Sequence, residues 1–416
     1  MKVLVLDGNE NQAVASVRSL GEAGHSVEVG SSVTWSKAGW SRFAAGTFIY
    51  PAPDENLAGF VERITAKVKE HGNTLVLPMT EQTTLPLSQH RKAIEEAGGH
   101  LVLPPHETVC NAFDKKFTSE LASSLGVAIP RTVLLDQRSD PGSIASTLEY
   151  PVVLKPRSSQ EISATSEVRR TGAPLYARNT AEFLDAVTDL RERCSEMLVQ
   201  EYVTGAGAGY FALMRHGELR TEFAHRRIRD VRPTGSGSSV RISTPVSPAV
   251  REAALPILQA LKWHGVAMVE FRMRGETPVF MEVNGRFWNS LALPIYSGVD
   301  FPALLVSMFE NGDVAPQKGY QVGVRCRWFL GDFRHLIEVW RGAPKGYAGT
   351  FPRRWSTLWN FLRPVAGMFH DNFRWSDPLP ELGDWIDFTS HRLPRHLKKA
   401  DGSRSRLGVQ GNYSRT

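Results

Sequence analysis

Acidic and amide side chains interrupt two apolar segments in the middle of the chain. Glu270 lies within residues 265–272, and Glu282 and Asn284 lie within residues 278–286. Side chains alternate across a strand, so Glu282 and Asn284 share a face and a hairpin can bring Glu270 beside them. Two carboxylates and a carboxamide are hard oxygen ligands of the kind that Mg²⁺ takes while it bridges substrate phosphates. The pattern predicts a metal site on a hairpin.

The spacing of these acids leaves a second interpretation open. Antiparallel strands commonly alternate in the same way when one face meets solvent, so Glu270 and Glu282 can also belong to an exposed edge hairpin. An unpaired charge on an otherwise apolar strand is expensive to bury. Cationic side chains elsewhere in the chain decide between the two interpretations.

Two lysines stand where a phosphate could be held. Lys155 ends the apolar strand predicted at 151–156, where its ammonium can act on a phosphate as a point charge. Lys115 opens a helix predicted at 114–125, and a helix N-terminus favours anions. The Ser-rich loop 158–166 offers hydroxyls and backbone N–H groups to phosphates, although it lacks glycine. Taken singly, each lysine could also be an ordinary surface side chain.

The first part of the chain has the pattern of a parallel sheet. A buried strand at 3–6 precedes a helix closed by Gly24 and a second strand at 25–30. Strand, turn, helix and strand form a βαβ unit, so residues 1–110 are predicted to form a Rossmann-like lobe. Because residues 8–13 lack Gly-x-Gly-x-x-Gly, no nicotinamide cofactor is expected.

From about residue 150 the pattern changes to antiparallel α+β. The predicted strands lie at 151–156, 197–203, 209–214, 219–225, 266–273 and 278–283. Residues 313–416 are rich in Trp, Phe, Arg and Pro and carry no readable motif. Since no basic repeat separates its tryptophans, we interpret them as core and lid packing rather than a nucleic-acid stacking platform. They are Trp328, Trp340, Trp355, Trp359, Trp375 and Trp385.

The order of these segments resembles the ATP-grasp superfamily, which includes biotin carboxylase and the carbamoyl-phosphate synthetase large subunit. The resemblance covers residues 1–312 and is greatest to the predicted ATP-dependent carboligases, or carboxylate–amine ligases. Their recurring phrases stand here at 199–203 (Val-Gln-Glu-Tyr-Val), 224–229 (Ala-His-Arg-Arg-Ile-Arg) and 282–288 (Glu-Val-Asn-Gly-Arg-Phe-Trp).

The resemblance implies a mixed fold, α/β and then α+β, in three parts. A Rossmann-like pre-ATP-grasp domain is expected at 1–110 and a two-lobed ATP-grasp domain at 111–312, with its lid at about 150–200. An α-rich C-terminal extension with a basic tail is expected at 313–416. Carboxylate–amine relatives often carry an acid inside the Gly-x-Gly turn after the hinge, but this chain has Ala208 there.

The resemblance also assigns roles to individual positions. The implied ligands are ATP and Mg²⁺, with Mn²⁺ as an alternative metal. The implied residues are Lys155 and Arg286 for catalysis, Lys115, Lys155, Glu201, Val203 and Arg226 for the nucleotide, and Glu270, Glu282 and Asn284 for the metal. His225 has two interpretations, a substrate-side residue or a strand histidine satisfied by its neighbours.

The implied activity is an ATP-dependent ligase that converts a carboxylate to an acyl phosphate and transfers the acyl group to an amine. That step requires positioning and charge neutralisation rather than a protein nucleophile. Two alternatives remain: a carboxylase-like enzyme that activates bicarbonate, and a catalytically silent ATP-binding protein. The expected partners are a small carboxylate and an amine, with neither nucleic acid nor membrane, and a homodimer is compatible with the sequence.

Composition limits the class of protein further. Formal net charge is +6, and a run of basic residues at 391–399 is followed by Arg404, Arg406 and Arg415. We interpret this tail as a solvated terminus. The three cysteines form no Cys-x-x-Cys pair, which argues against a zinc or disulfide framework and fits a reducing compartment. The apolar run after the N-terminus is too short for a signal peptide, so a cytoplasmic location is expected.

Overall fold

A computed structural model of the protein describes residues 1–158, 160–162, 168–172, 174–344, 347 and 350–390. Part of the predicted phosphate loop at 158–166 and the basic tail from 391 onward lie outside these residues. Among the described residues, no helix combines the length and the apolar character needed to cross a bilayer.

The strands form the sheets that are described below. In chain order they are β1 (Lys2–Val5), β2 (Ser26–Ser31), β3 (Gly46–Ile49), β4 (Thr74–Leu77), β5 (Gly99–His100), β6 (Thr132–Asp136), β7 (Val152–Pro156), β8 (Gln160–Ile162), β9 (Val168–Arg170), β10 (Leu175–Ala177), β11 (Glu196–Glu201), β12 (Gly207–Arg215), β13 (Glu218–Arg232), β14 (Ser236–Thr244), β15 (Gly265–Arg274), β16 (Thr277–Asn284), β17 (Arg325–Arg327) and β18 (Met368–His370).

Helices connect and cover these strands. They are α1 (Asn11–Glu22), α2 (Leu57–His71), α3 (Glu81–Gln89), α4 (Arg91–Glu96), α5 (His106–Phe113), α6 (Lys115–Ser124), α7 (Pro141–Ala145), α8 (Thr180–Arg191), α9 (Pro248–Ala260), α10 (Ala292–Tyr296), α11 (Phe301–Asn311), α12 (Phe329–Arg341), α13 (Arg354–Leu362) and α14 (Leu379–Ser390), with a short 3₁₀ turn at Ala38–Trp40.

The N-terminal strands form a parallel sheet in the order β3-β2-β1-β4-β5. Strand β4 is buried along its whole length, and β1 is buried after its first residue, because apolar clusters cover both faces of this sheet. The predicted Rossmann-like lobe is confirmed. Helices α3 and α4 meet at His90, between β4 and β5.

Three further sheets follow within the described residues. One has the order β10-β7-β11-β6, a second has the order β16-β15-β12-β13-β14-β17-β18, and β8 and β9 form a two-stranded sheet. Together with the parallel sheet they confirm the predicted mixed fold. The C-terminal extension adds β17 and β18 to the edge of the larger sheet, a pairing that the sequence did not predict because three-residue strands carry too little pattern.

The larger sheet is apolar on both faces in its central part. On one face Tyr210 and Val269 pack toward α9, and on the other Phe211 and Met268 pack with Trp288 toward the N-terminal lobe. Along this second face the apolar residues give way to charge at Glu270. The face that meets the N-terminal lobe therefore carries the polar residues of the predicted site.

Buried ion pairs join the C-terminal extension to the rest of the molecule. Arg18 pairs with Asp377 at 2.8 Å, Lys37 with Asp384 at 2.8 Å, and Arg241 with Asp371. Asn372 connects them: its side chain donates to Asp384 Oδ2 at 2.9 Å, and its carbonyl accepts from Arg18. We call these three pairs and Asn372 the C-terminal ion-pair cluster.

The interpretation of the six tryptophans as packing residues is correct for only some of them. Trp385 packs against Phe329 and Phe333, and Trp328 donates to Asp384. Trp355, Trp359 and Trp375 instead are 74%, 66% and 91% exposed, and Trp340 is 41% exposed.

Candidate active site

The hairpin of β15 and β16 brings the predicted metal ligands together. Glu270 is the register partner of Glu282, and Met268 is the partner of Asn284. The register shifts just after Glu270, so the extra residue of β16 lies beside the acids. Asn284 Nδ2 donates to Glu282 Oε1 at 3.3 Å. Glu270, Glu282 and Asn284 therefore share one half-buried patch on the sheet.

Arg286 extends this patch beyond the end of β16. Its Nη2 donates to Asn284 Oδ1 at 3.0 Å, and its Nη1 donates to the carbonyl of Phe287 at 2.7 Å. The carboxamide thus connects the guanidinium with the Glu282 carboxylate. In the reverse orientation of the Asn284 amide, its NH₂ group would face the Arg286 guanidinium and place two donors together.

A second arginine reaches Glu270 from a neighbouring strand. Arg227 Nη2 donates to Glu270 Oε1 at 2.8 Å. Arg227 belongs to β13 and Glu270 belongs to β15, and strand β12 lies between them. Gly207 of β12 has no side chain beside the Arg227 guanidinium where it crosses β12. A Cβ at Gly207 would lie 3.4 Å from Arg227 Nη1. Arg227 was not predicted from the sequence, because its neighbour Arg226 was chosen instead.

Arg226, the residue predicted to contact phosphate or substrate, lies on the other face. Gly209 of β12 is the register partner of both Glu270 and His225, so His225 and Arg227 share the face of Glu270. The two-residue period of the strand turns Arg226 away, and its side chain is exposed. The structure does not bring Arg226 to the other predicted residues.

Two lysines share the space above the acids. Burial alone would raise the pKa of Glu282, but the charges of Lys115 and Lys155 and the bond from Asn284 hold that pKa below its usual value. Burial lowers the pKa of Lys155, the charge of Glu282 opposes this, and Lys115 adds to it. Among the described residues, the side chain of Lys155 forms no hydrogen bond or ion pair. The charges of Lys155 and Glu282 therefore act on one another without an ion pair between them.

The position of Lys115 is fixed by the cap of its own helix. Asp114 Oδ1 accepts from the N–H groups of Lys116 and Phe117 at 2.9 and 3.1 Å. Arg157 donates to the other carboxylate oxygen of Asp114, while its carbonyl accepts from Lys115 N–H at 3.0 Å. Arg157 follows β7, the strand of Lys155. One arginine therefore couples the positions of both lysines.

The predicted adenine hinge forms an edge between the two sheets. The N–H groups of Glu201 and Tyr202 donate to the carbonyls of Arg131 and Pro151, whereas the N–H of Val203 has no partner among the described residues. The Glu201 carboxylate pairs with Arg131 at 3.2 Å and also with Arg274. The Glu201 side chain is therefore bound by Arg131 and Arg274. Among the described residues of the hinge, the backbone N–H of Val203 is left as an open donor.

Glu10 is a further acidic residue that the sequence analysis did not select. It immediately precedes α1, after the carboxyl end of β1, and its side chain caps no N–H group. Burial raises its pKa, and the charge of Lys37 acts against this, as does that of Arg286. Its position was readable in principle, since ligands of open parallel sheets bind beyond the carboxyl ends of the strands.

His225 belongs to the core rather than to the open part of the site. It is buried, its Nε2 lies 2.8 Å from Ser290 Oγ, and its ring packs on Phe211. Burial lowers the pKa of His225 well below its ordinary value. The neutral imidazole thus supports the second of its two interpretations.

The donor set fits a hard divalent cation. Within the described residues there is no group of three or more His, Cys, Asp or Glu side chains suited to a metal. Glu270, Glu282 and Asn284 supply two carboxylates and one amide oxygen, and Mg²⁺ is commonly held by one or two carboxylates together with substrate phosphates. A softer metal would require His or Cys ligands, which this donor set does not contain.

Comparisons with known proteins agree with this geometry. Residues 193–329 match a family model described as ATP-grasp in the biosynthetic pathway with Ter operon. The chain is 25% identical over 189 residues to the vancomycin/teicoplanin A-type resistance protein VanA of Enterococcus faecium, a match that covers 42% of this chain and 49% of that protein. The chain thus spans about half the length of this relative.

Solved structures share the fold over most of the chain. The biotin carboxylase domain of the 2-oxoglutarate carboxylase of Hydrogenobacter thermophilus matches with a TM-score of 0.61 at 15% identity, covering 78% of this chain and 73% of that one. The L-amino acid ligase of Bacillus licheniformis matches with a TM-score of 0.55 at 16% identity, covering 74% of each chain. The family model identifies an ATP-grasp domain at residues 193–329 and the solved structures share the fold, so the resemblance of the sequence to the ATP-grasp superfamily is confirmed.

Proposed function

We propose that this protein is an ATP-dependent ligase that converts a carboxylate to an acyl phosphate and transfers the acyl group to an amine, with release of ADP and phosphate. The observation that carries the proposal is that the charges of Lys115 and Lys155 hold the pKa of Glu282 low, while burial lowers the pKa of Lys155 against the charge of Glu282. The Lys155 ammonium forms no hydrogen bond or ion pair with a described residue, which leaves room for a ligand that completes its contacts.

The residues around this gap match the demands of phosphoryl transfer. Lys155 and Lys115 present ammonium groups to the phosphates, and Glu270, Glu282 and Asn284 would hold Mg²⁺. When bound, Mg²⁺ neutralises charge on the phosphates and aligns them for in-line attack. The open N–H of Val203 is suited to donate a hydrogen bond to an acceptor nitrogen on the adenine edge.

The substrate carboxylate would enter from the side of Arg286. The Arg286 guanidinium can hold an incoming carboxylate and neutralise the acyl phosphate as charge develops. Glu10 lies within the field of Arg286, on the wall formed by the N-terminal lobe. We infer that a positively charged amine faces Glu10, and that residues 1–110 therefore contribute to substrate choice while 111–312 hold the nucleotide.

The proposal is tested by ADP release from Mg-ATP over a panel of amino acids, supplied singly and in pairs. We expect turnover that requires a carboxylate and rises with an amine acceptor. ADP release driven by bicarbonate alone would replace the proposal with the carboxylase-like alternative. Tight ATP binding, measured by calorimetry, with no turnover for any acceptor would identify a silent nucleotide-binding protein.

A further inference from the structure

A cavity of about 620 Å³ lies beside the first residues of β13. Its walls come from residues 219–222 of β13, residues 245 and 246 after β14, Arg251 of α9, and the segment 316–320 with Val322. Pockets of roughly 300–1,000 Å³ are the size in which proteins bind small molecules. The cavity is therefore large enough to hold a ligand of its own.

This cavity is separate from the candidate active site. Glu222, which lines it, precedes Arg227 by five residues on β13, which is about 16 Å along an extended strand. Glu222 also shares the sheet face of Tyr210, whose register partner is Ala224, whereas Glu270 is on the opposite face. A small ligand in the cavity would thus not touch the predicted metal ligands.

Strand β13 has an open edge at the cavity. Strand β14 pairs with β13 only from Ala224 onward, so within the described chain the first residues of β13 have a strand partner only in β12. On the open side, the carbonyl of Arg220 accepts from the N–H of Gln317 at 2.8 Å, and the N–H of Ala224 donates to Tyr320 Oη at 3.1 Å. Alternate residues of a strand direct their backbone groups to the same side, so those of Glu222 lie between these two bonds. They are available to a peptide-like amide.

The unused hydrogen-bonding capacity of the cavity's side chains is cationic. The side chain of Lys318 is exposed and forms no hydrogen bond or ion pair with a described residue. Arg251 Nε donates to both oxygens of Glu222, at 3.1 and 2.9 Å, which leaves the two Nη groups without a bond to a described carboxylate. The Glu222 carboxylate also accepts from Tyr210 Oη at 2.7 Å and is thereby satisfied. A ligand that completes these contacts must supply an anion.

The third cation of the lining, Arg220, is already neutralised. It is buried, its Nε donates to Asp313 at 2.6 Å, and its Nη2 donates to Asp313 at 2.9 Å and to Glu218 at 2.6 Å. Gln317 Nε2 donates to the carbonyl of Gly298 at 2.7 Å. These bonds hold the segment after α11 against β13, so the wall of the cavity is built into the fold.

Apolar side chains form the rest of the wall. Tyr320 packs on Phe223 with 4.7 Å between ring centroids, and Val322 is 52% exposed. The other apolar residues of the lining are Leu219, Pro245, Val246 and Pro316. Because ligand pockets combine apolar walls with a few polar groups, this wall favours an aliphatic or aromatic group beside the anion.

We propose that the cavity binds a small molecule that combines a carboxylate, a peptide-like amide and an apolar side chain, the chemistry of an N-acylated amino acid. The carboxylate meets Lys318 and the Nη groups of Arg251, and the amide pairs with the backbone of Glu222. The apolar group covers Tyr320 and Val322. The end of a peptide chain has the same chemistry. This second binding site does not depend on the proposed ligase activity.

Calorimetric titration of the full-length protein with N-acetyl-L-phenylalanine tests the proposal. We expect saturable binding. N-acetyl-L-phenylalaninamide, which lacks the carboxylate, should bind at least about tenfold more weakly, as expected when a charge-assisted hydrogen bond is lost. The tetrapeptide Gly-Ser-Gly-Phe distinguishes the two sources of this chemistry. Tighter binding of the tetrapeptide identifies a chain end, and equal or weaker binding identifies a free acyl amino acid.

Variants locate the bound N-acetyl-L-phenylalanine. Lys318→Gln should weaken binding about tenfold, whereas Lys69→Gln, which alters an exposed lysine of α2, should leave it unchanged. Val322→Trp, which fills the cavity without altering its charge, should weaken binding to a similar degree. Arg286→Ala should bind as the unaltered protein does, because the candidate active site is not the site of this ligand.

Unchanged thermal melting of each variant shows that the fold is retained. The proposal is overturned if the unaltered protein does not bind N-acetyl-L-phenylalanine, or if the uncharged amide binds equally well. It is also overturned if Lys318→Gln and Val322→Trp both bind normally, or if Arg286→Ala abolishes binding. ADP release by the unaltered protein is measured separately, so failure of this proposal leaves the ligase proposal to its own test.

Discussion

Two clusters of buried charge in this molecule are built in opposite ways. In the C-terminal ion-pair cluster every cation touches its anion, and Arg241 and Asp371 have no exposed side-chain surface at all. In the cleft, the charges of Lys115 and Lys155 lower the pKa of Glu282, yet the side chain of Lys155 has no hydrogen bond or ion pair with any described residue. The first arrangement closes the fold on itself, whereas the second leaves its charges available to a ligand.

The difference shows why a shifted pKa alone does not identify a site. Both clusters contain carboxylates whose pKa is displaced by burial and by nearby cations, Asp377 in one and Glu282 in the other. Asp377, however, accepts from Arg18, Ser41 and the N–H of Arg42, and so has no capacity left. What distinguishes the cleft is unfilled hydrogen-bonding capacity.

Glu282→Ala gives the strongest test of this distinction. Removing a cleft carboxylate should reduce ATP turnover below detection, a loss of at least about 10⁴-fold or about 5 kcal/mol in the transition state. It should lower the melting temperature only slightly, because the lowered pKa of Glu282 means that folding favours the charged carboxylate although no ion pair with a described residue holds it. ADP release and thermal melting of one preparation measure both effects.

The matched control for that variant lies on the same hairpin. Glu276 is exposed at the turn between β15 and β16. Glu276→Ala should keep full turnover. Turnover that survives in Glu282→Ala would remove the metal assignment, and an equal loss in both variants would point to damage of the hairpin instead.

Asp371→Ala tests the closed cluster. Leaving the Arg241 guanidinium buried without its partner should lower the free energy of unfolding by about 3–5 kcal/mol. Turnover per folded molecule should change little. Urea denaturation measures the stability, and Glu338→Ala, which breaks the exposed pair with Arg341, should cost less than about 1 kcal/mol.

The opposite result for Asp371→Ala would weaken the comparison between the two charge clusters. If Asp371→Ala remains as stable as the unaltered protein but loses turnover, the C-terminal cluster takes part in chemistry. The double variant R241M/D371L distinguishes the cost of an orphaned charge from loss of packing. It should recover most of the lost stability, since apolar replacements of a buried pair are often neutral.

Glu381, in the C-terminal extension, has a carboxyl group that is only partly hydrogen-bonded. It predicts that the stability of the protein depends on pH. Burial raises its pKa to about 7, Trp385 Nε1 donates to one oxygen at 2.9 Å, and the other oxygen has no partner. Between pH 4.5 and 7, the Glu381 carboxyl group therefore keeps its proton in the folded state and loses it in the unfolded state. Stability should fall as pH rises through that window, by roughly 2–3 kcal/mol.

Glu381→Gln should remove this slope. The amide stays neutral at every pH, so the variant should match the unaltered protein near pH 4.5 and exceed it at pH 8 in urea denaturation. A slope that persists in Glu381→Gln would assign the titration to another group.

The sequence predicted the parts of the site whose positions follow from local pattern. Glu282 and Asn284 are two residues apart on one strand, and Lys115 and Lys155 end or begin apolar elements, so their placement needed only strand and helix periods. Glu10 and the C-terminal strands escaped prediction because they depend on contacts between elements far apart in the chain. The outward tryptophans of α13 escaped for a related reason, since composition cannot tell which face of a helix is anchored.

Arg226 and Arg227 offer the finest test, because neighbouring residues of one type differ only in the face they occupy. Arg227→Ala removes the guanidinium that donates to Glu270 at 2.8 Å and should slow turnover by about 10- to 100-fold, in line with a charged hydrogen bond. Arg226→Ala should stay within about twofold of the unaltered enzyme, since its side chain points to solvent. Steady-state kinetics of the two variants at saturating ATP compares them. The opposite ranking would mean that β13 changes register when substrate binds, and would restore Arg226 to the role that the sequence suggested.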